Sequence, residues 1–275
     1  MGVLDGKSAI VTGSARGIGR ATAELLVAQG AQCLINDLDG DVAEQASGEI
    51  AGETAVFAGD LTKPGVPEDL VQKAIDSFGK IDIIVNNAGY TLDAPIHKMS
   101  DEHFQAMIDI HTVVPFRVIR AAAPHLREPA KIEKEEGKEV FRKIVNISST
   151  SGTFGNPGQA NYSAGKAGVV GLTKTVAKEW GQFKVNVNAV AFGFIDTRLT
   201  QAKDDENTME KDGEMIQLGI PEQMRGMASM LIPLGRPASP EEAAGGVFFL
   251  CSPWSNYVHG QTLHVTGGLF GGMSG

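Results

Sequence analysis

The stretch "VTGSARGIGRA", residues 11–21, decides the fold. The apolar run "SAIV" leads into it, and the helical pattern "GIGRATAELLVAQ" leads out of it. Gly13, Gly17 and Gly19 fall on the turn between the two. Glycine is the residue that lets a backbone turn tightly and come close to another group. A helix that opens straight after a strand aims its free N–H groups and the positive end of its dipole at the turn, which suits a pyrophosphate. The spacing is Gly-x-x-x-Gly-x-Gly, a variant of the general dinucleotide fingerprint, and it stands in the strand–turn–helix context that such a fingerprint needs. Arg16 and Ile18 belong to the same turn and are candidate cofactor contacts.

Working outward, the same alternation repeats. "SAIVTG", "QCLIND", "TAVFAGD", "IDIIVNNAG", "KIVNISS", "VNVNAVA" and "TLHVTGG" are short apolar runs bounded by Gly, Asn or Asp, and they read as buried strands. Helical patterns over Gly17–Gln29, Gly40–Ala51, Pro67–Phe78, Ser100–His125, Asn161–Trp180 and Pro240–Leu250 lie between them. Strands that are apolar at every position are expected where helices cover both faces of a sheet. The pattern predicts an α/β fold: a Rossmann-type, doubly wound parallel sheet of about seven strands in a single domain spanning 1–275. Two segments depart from it. Residues 128–143 form a mixed-charge run, expected as a solvated helix extension or loop. Residues 198–233 leave a strand end, where ligands bind in this fold, and carry five methionines from Met209 to Met230. They are a candidate substrate lid or a packed surface helical pair.

Composition excludes several classes. The chain has 275 residues, a formal net charge of −9 and no basic stripe, which argues against a nucleic-acid partner. No apolar run reaches the roughly 20 residues of a membrane span. The start, "MGVLDGKSAIVTG", lacks a basic region followed by an apolar core, so a cytoplasmic location is expected. Cys33 and Cys251 sit in apolar contexts and read as core residues, and no metal site is expected.

The second strand ends at "INDLD", which puts Asp37 about 20 residues beyond the glycines, where a carboxylate meets the adenosine ribose. Its charge would repel a 2′-phosphate, so it favours NAD over NADP. Arg16 points the other way, since a guanidinium in the turn can bind that phosphate.

Across nearly its whole length the chain resembles the classical short-chain dehydrogenases/reductases. The resemblance rests on "TGSARGIG" (12–19), Asp60 after the third strand, "NNAG" (86–89), Ser149, "YSAGK" (162–166) and "NAVAFGFIDT" (188–197). "NPGQANYSAGKAGVVGLTK" is most similar to the 3-oxoacyl-carrier-protein reductase subgroup. The resemblance implies that Tyr162 exchanges a proton with the substrate oxygen and that Ser149 hydrogen-bonds that oxygen. It implies that Lys166, one helical turn from Tyr162, lowers the phenol's pKa and bonds the nicotinamide ribose. It further implies cofactor contacts from Gly13, Arg16, Gly17, Ile18, Gly19, Asp37, Asp60, Leu61, Asn87, Ala88, Gly89, Tyr162, Lys166, Gly193, Ile195 and Thr197. Asn86 and Asn188 are expected to be structural. A homotetramer is implied too, formed by the helices around Phe104–Ala123 and Val169–Val176 and by the apolar terminus.

Three positions depart from the family pattern. His111 stands where an asparagine usually helps to hold a relay water, and an imidazole titrating near ~6.5 can itself pass protons. Phe192 replaces the proline before Gly193, and Thr266 replaces a frequent aspartate. The leading expectation is an NAD(H)-dependent oxidoreductase interconverting a hydrophobic secondary alcohol and its ketone. The alternatives are a 3-oxoacyl-thioester reductase, which would normally use NADPH, and a non-catalytic dinucleotide sensor.

Overall fold

The computed structural model describes residues 2–201, 208–211, 214–220 and 222–269. In chain order the elements are β1 (Ser8–Val11), α1 (Gly17–Ala28), β2 (Gln32–Asp37), α2 (Gly40–Glu49), β3 (Thr54–Ala58), α3 (Val66–Phe78) and β4 (Ile83–Asn86). Then come α4 (Asp101–Ile108), α5 (Val114–Glu135), β5 (Arg142–Ser149), α6 (Thr150–Phe154), α7 (Ala160–Trp180) and β6 (Val185–Phe192). The chain closes with β7 (Thr208–Lys211), β8 (Glu214–Gln217), α8 (Glu222–Leu231), α9 (Pro240–Cys251) and β9 (Thr262–Val265).

Seven strands form one sheet in the order β3-β2-β1-β4-β5-β6-β9, and every pairing is parallel. Successive residues of a strand face opposite sides, and both sides are covered. Val11, Ile35, Val85, Val145 and Val190 pack with Leu26, Ala46 and Val247 of α1, α2 and α9. Their neighbours Ile10, Leu34, Ile84, Ile144 and Val187 pack with Leu70, Met107, Val118 and Trp180 of α3, α4, α5 and α7. This two-sided burial is why the strands read as unbroken apolar runs. The chain order reverses between β1 and β4, and a cleft opens there at the carboxyl ends of the strands, where such sheets bind ligands.

The helix expected over Ser100–His125 is longer and is interrupted. Ser100 caps it, accepting a hydrogen bond from the His103 amide at 3.2 Å. The turn Asp109–Val113 is a π-helix, and it separates α4 from α5. Pro115 follows it directly, lacks an N–H and would clash with the carbonyl of residue 111 in a regular helix, so the wider turn relieves it. The charged run 128–143 is helical as far as Glu135 and a loop beyond. Arg142 at the start of β5, only 6% exposed, binds both oxygens of Glu133 at 2.7 Å and pins the helix end to the sheet.

The excursion after β6 is not the helical pair that was one of its two readings. β7 and β8 form an antiparallel hairpin, followed by the single helix α8. Met209 and Ile216 face each other in register and pack on the second apolar cluster, while Met215 points to solvent. That alternation is strand-like. The side chains of Met224 and Met227 lie outside the described residues, as do 202–207, 212–213, 221 and the terminal 270–275.

Truncating the partner of a buried cation leaves that charge unsatisfied. Glu133→Ala should therefore cost about 2 kcal/mol, read as a lower urea midpoint with an unchanged slope. A midpoint equal to that of the parent protein would show that Arg142 finds another partner.

Candidate active site

The glycine turn is built against the end of β4. The Thr12 hydroxyl accepts hydrogen bonds from the amides of Asn87 and Ala88 at 2.9 and 3.0 Å. The Asn87 side chain donates to the carbonyls of Thr12 and Gly13 at 3.0 and 2.9 Å. Gly13 has φ +61°, and a Cβ there would lie 2.8 Å from the Cα of Ala88. A Cβ on Gly19 would lie 2.2 Å from the Gly13 carbonyl oxygen and 2.4 Å from the Asn87 amide nitrogen. Side chains at either position would fill the cradle, and the glycines leave backbone exposed in it.

The cleft beside this turn has a volume of about 790 Å³. Gly13, Arg16, Gly17, Ile18, Gly19, Asp37, Asp60, Leu61, Asn87, Ala88, Gly89 and Thr197 all line it, as the sequence motifs predict. Asp37 stands at the end of β2 and accepts a bond from the Asp39 amide at 3.3 Å. Arg16 reaches Asp39 at 3.5 Å, and Lys63 reaches Asp60 at 3.8 Å. Two expected contacts lie deeper. Ile195 is buried in the first apolar cluster and bridges to Ala238. Gly193 packs under Thr266, where a Cβ would come within 3.0 Å of that residue's Cα. Phe192, beside it, is a core residue, 5% exposed. Asn86 and Asn188 are structural, bonding Asn146 at 2.8 Å and the Val258 carbonyl at 2.9 Å.

Ser149, Tyr162, Lys166 and His111 do not line this cleft; they cluster next to it, joined to its lining where Gly89 packs against His111 and His111 against Tyr162. Ser149 ends β5 and caps α6, accepting from the Ser151 amide at 3.2 Å. Tyr162 and Lys166 lie one turn apart on α7, with the Lys166 Nζ 5.5 Å from the centre of the phenol ring. The ammonium donates to the Ile147 carbonyl at 2.8 Å. Small residues let α7 come so close: a Cβ on Gly165 would lie 2.8 Å from the Met107 carbonyl oxygen, and one on Gly152 would lie 2.7 Å from the backbone of Lys166.

The electrostatics here differ from the expectation. Lys166 was to pull the phenol's pKa down. Instead burial pushes Tyr162 up to about 12, against a hydrogen bond with Ser149 that lowers it, while Asp93 adds to the rise. Burial also pulls Lys166 down to about 7. Desolvation is the largest cause of both shifts, and the Lys166 charge is not among the causes acting on Tyr162.

His111 lies in the π-turn, 2% exposed, with its ring edge-on to Tyr162 at 4.9 Å between centroids. Its Nε2 bonds the Tyr90 carbonyl at 2.8 Å, so Nε2 carries the proton and Nδ1 is the bare acceptor. No hydrogen-bond partner meets Nδ1. Burial first and the Lys166 charge second hold the imidazole well below 6.5. Titration near neutrality, expected from the free imidazole, is lost, and His111 is a fixed neutral group.

Sequence reading missed several neighbours. Asn36 lines the cleft, accepts from the Gly13 amide at 3.3 Å and donates to the Phe57 carbonyl at 3.0 Å. Gln159 joins Asp93 and Ser151, each at 2.9 Å, above Tyr162. Arg198 lines the cleft from the far side. Their signal was position, since each sits at or just past a strand end or helix start.

A glycine turn at the switch point of a parallel sheet, with a Ser–Tyr–Lys cluster beside it, defines a nicotinamide-dinucleotide oxidoreductase. The comparisons with known proteins carry this further. The family model described as enoyl-(acyl carrier protein) reductase matches residues 13–270. The chain is 37% identical over 270 residues to a 3-oxoacyl-[acyl-carrier-protein] reductase of Thermotoga maritima, covering 97% of this chain and 98% of that one. It is 36% identical over 267 residues to that of Escherichia coli, with the same coverage, and 39% identical over 271 residues to that of Aquifex aeolicus, again with the same coverage. The chain belongs to the short-chain dehydrogenase/reductase family.

Burial of Lys166 makes stability depend on pH with a defined sign. Between pH 7 and the ordinary lysine value of 10.5 the unfolded chain holds a proton that the folded chain has lost, so stability rises with pH. Lys143, pulled down to about 8 by burial, adds to the rise only above pH 8. Cys251, pushed up by burial from 9.0 to about 12, opposes it only above pH 9. Urea midpoints of the parent should rise from pH 7 to 8, and Lys166→Met should flatten that interval. A parallel rise in both proteins would assign the slope to another group.

Proposed function

We propose that this protein reduces a 3-oxoacyl thioester to the 3-hydroxyacyl thioester with NADH. The observation that carries it is the Ser149–Tyr162–Lys166 cluster beside a glycine-lined cleft, in which burial keeps Tyr162 protonated and able to donate a proton. The substrate class is supported by the relatives, whose names specify 3-oxoacyl reduction.

The residues lining the cleft would hold a nicotinamide dinucleotide, which would supply the hydride for the 3-oxo carbon. Tyr162 gives its proton to the ketone oxygen as negative charge develops there. Ser149 donates a hydrogen bond to the same oxygen and stabilises that charge. Lys166 exchanges protons near neutrality and lies one turn from the phenol, so it stabilises the phenolate and helps to reprotonate it. His111 holds the phenol ring from the side and keeps a neutral acceptor beside it. Asp37, at the end of β2, repels a 2′-phosphate. Arg16 is already turned toward Asp39 rather than left for that phosphate, which supports NADH. The hairpin and α8 serve as the substrate cover in this reading. Exposed Met230 and Leu231 suit the long apolar chain of an acyl group.

Tyr162→Phe should lower turnover of a 3-oxoacyl thioester by at least ~10²-fold while leaving the NADH dissociation constant unchanged. Retained turnover would remove Tyr162 from the chemistry. Tighter binding of NADPH than of NADH would overturn the cofactor half of the proposal. A parent protein that reduces simple apolar ketones but no 3-oxoacyl thioester would restore the broader alcohol/ketone reading.

We also propose a homotetramer. Phe104 and Phe116 on the long helix are 40% and 43% exposed, and Trp254 and Tyr257 before β9 are exposed further. Exposed apolar groups mark an interaction site where they are contiguous, and the resemblance to the family supplies the expectation of four copies. Light scattering at micromolar concentration should give about four times the chain mass of 29.0 kDa, and a monomer mass would defeat the claim.

A further inference from the structure

A dinucleotide whose adenosine ribose meets Asp37 places its adenine one strand further out, at the end of β3. Gly59, Asp60, Leu61 and Lys63 line the cleft there, on the turn from β3 to α3. β3 is the edge strand of the sheet, and none of its residues is fully buried. Gly65 then opens α3 at φ +85°, with no side chain capping the helix. A turn between an edge strand and such a start opens locally at little cost unless distant contacts hold it.

Within the turn the bonds are local. The Asp60 carboxylate accepts from the Thr62 amide at 3.0 Å and from the Thr62 hydroxyl at 2.7 Å, and the Lys63 amide donates to the Asp60 carbonyl at 3.0 Å. Distant segments add anchors. The Gly59 amide donates to the Asp37 carbonyl at 3.0 Å, where the turn begins. Leu61 is buried in the second apolar cluster with Ile110, Val114 and Val118. From α5, the Arg117 Nη1 donates to the Thr62 carbonyl at 2.9 Å. Thr62 thus joins Arg117 to Asp60: its carbonyl takes the guanidinium, and its amide and hydroxyl hold the carboxylate. Arg117 and Thr62 are not among the residues that line the cleft, so Arg117 acts on it through the turn. The same helix offers a contrast. Arg120 reaches Glu68 of α3 at 3.3 Å, and both side chains are exposed, so that pair contributes little. Arg117 is half-buried and bonds a backbone carbonyl, which fixes the chain itself.

We propose that Arg117 is a positioning residue for the adenine subsite: by holding the Thr62 carbonyl it keeps Asp60 and Leu61 in the geometry that receives the base. This rests on the dinucleotide reading of the cleft and not on thioester chemistry. It adds a residue outside the cleft, 55 positions from the turn it holds, that neither the glycine motif nor the Asp60 position includes.

The test uses the full chain and reads binding and hydrogen exchange, not turnover. The probes are adenosine, NADH and reduced nicotinamide mononucleotide, which lacks the adenine. Arg117→Met keeps an aliphatic stem and removes the guanidinium. It should weaken adenosine and NADH by about tenfold, the scale of one lost hydrogen bond from a charged group, because affinity falls with the fraction of the turn in the binding geometry. Affinity for the mononucleotide should not change. In the ligand-free variant the amides of Thr62 and Lys63 should exchange faster than in the parent, and adenosine should slow them again. Arg117→Lys keeps a charged donor and should recover most of the adenosine affinity, and it stands in if the methionine variant does not fold. Arg120→Met removes an equal charge from the same helix and should bind all three probes as the parent does. A lower urea midpoint with unchanged adenosine affinity would make Arg117 merely structural and overturn the proposal. So would an equal loss for the mononucleotide, or an equal loss in Arg120→Met. A parent that binds neither adenosine nor NADH would overturn the dinucleotide reading and this proposal with it, whereas failure to reduce a 3-oxoacyl thioester leaves the binding result readable.

Discussion

The site depends on one contact, the seam between the carboxyl ends of β1 and β4. Thr12 takes two backbone amides of the β4 loop on a single hydroxyl, and Asn87 returns two bonds from its side chain to the glycine turn. These bonds fix the turn against the β4 loop, and Gly13, Asn87 and Ala88 all line the cleft there. Gly13 and Gly19 are the positions where a Cβ would push the seam apart. With the seam closed, the start of α1 faces the cleft and Gly89 packs so tightly against His111 that an added Cβ would overlap the imidazole. His111 in turn abuts Tyr162. A chain of close contacts therefore runs from the glycine turn to the Tyr162 ring, made from residues too small or too rigid to yield.

Much of this was legible in the residues. The strands and most helices follow from apolar runs and glycine punctuation, because two-sided burial leaves an unmistakable trace. The glycine turn, Asp37 and the Ser149–Tyr162–Lys166 set were legible because each is a short motif in a known context. What was not legible depends on tertiary contact. The π-turn at 109–113 had one local sign, Pro115, but a proline there marks only a helix break, and nothing in "DIHTV" says that packing carries the helix on through a wider turn. The hairpin at 208–217 is a two-sided strand pair only because the core lies beneath Met209 and Ile216. Methionine suits a helix as well as a strand, and the composition pointed to the wrong element.

The electrostatic expectation failed for a related reason. Sequence supplies the neighbours of a titrating group but not its burial. One turn of helix puts a cation near a phenol, and that alone predicts a lowered pKa. Here α7 is pressed between α6 and the long helix by Gly152 and Gly165, and the pressing removes water from both groups. Desolvation penalises a charge of either sign, so it raises the phenol and lowers the lysine together.

That double shift would suit the proposed reduction. Burial keeps the phenol protonated and favours the uncharged forms of the lysine and the imidazole, so it limits the charge held in this desolvated cluster. Negative charge would first develop on the ketone oxygen as hydride arrived. A low effective dielectric makes the response of Ser149, Tyr162 and Lys166 stronger than it would be in water. Charges held permanently in this cluster would already be compensated by their surroundings and would have less to give the transition state. In the proposed reading, the burial that runs against the simple cation–phenol expectation is thus the same feature that keeps Tyr162 protonated, the state that would donate to a ketone oxygen.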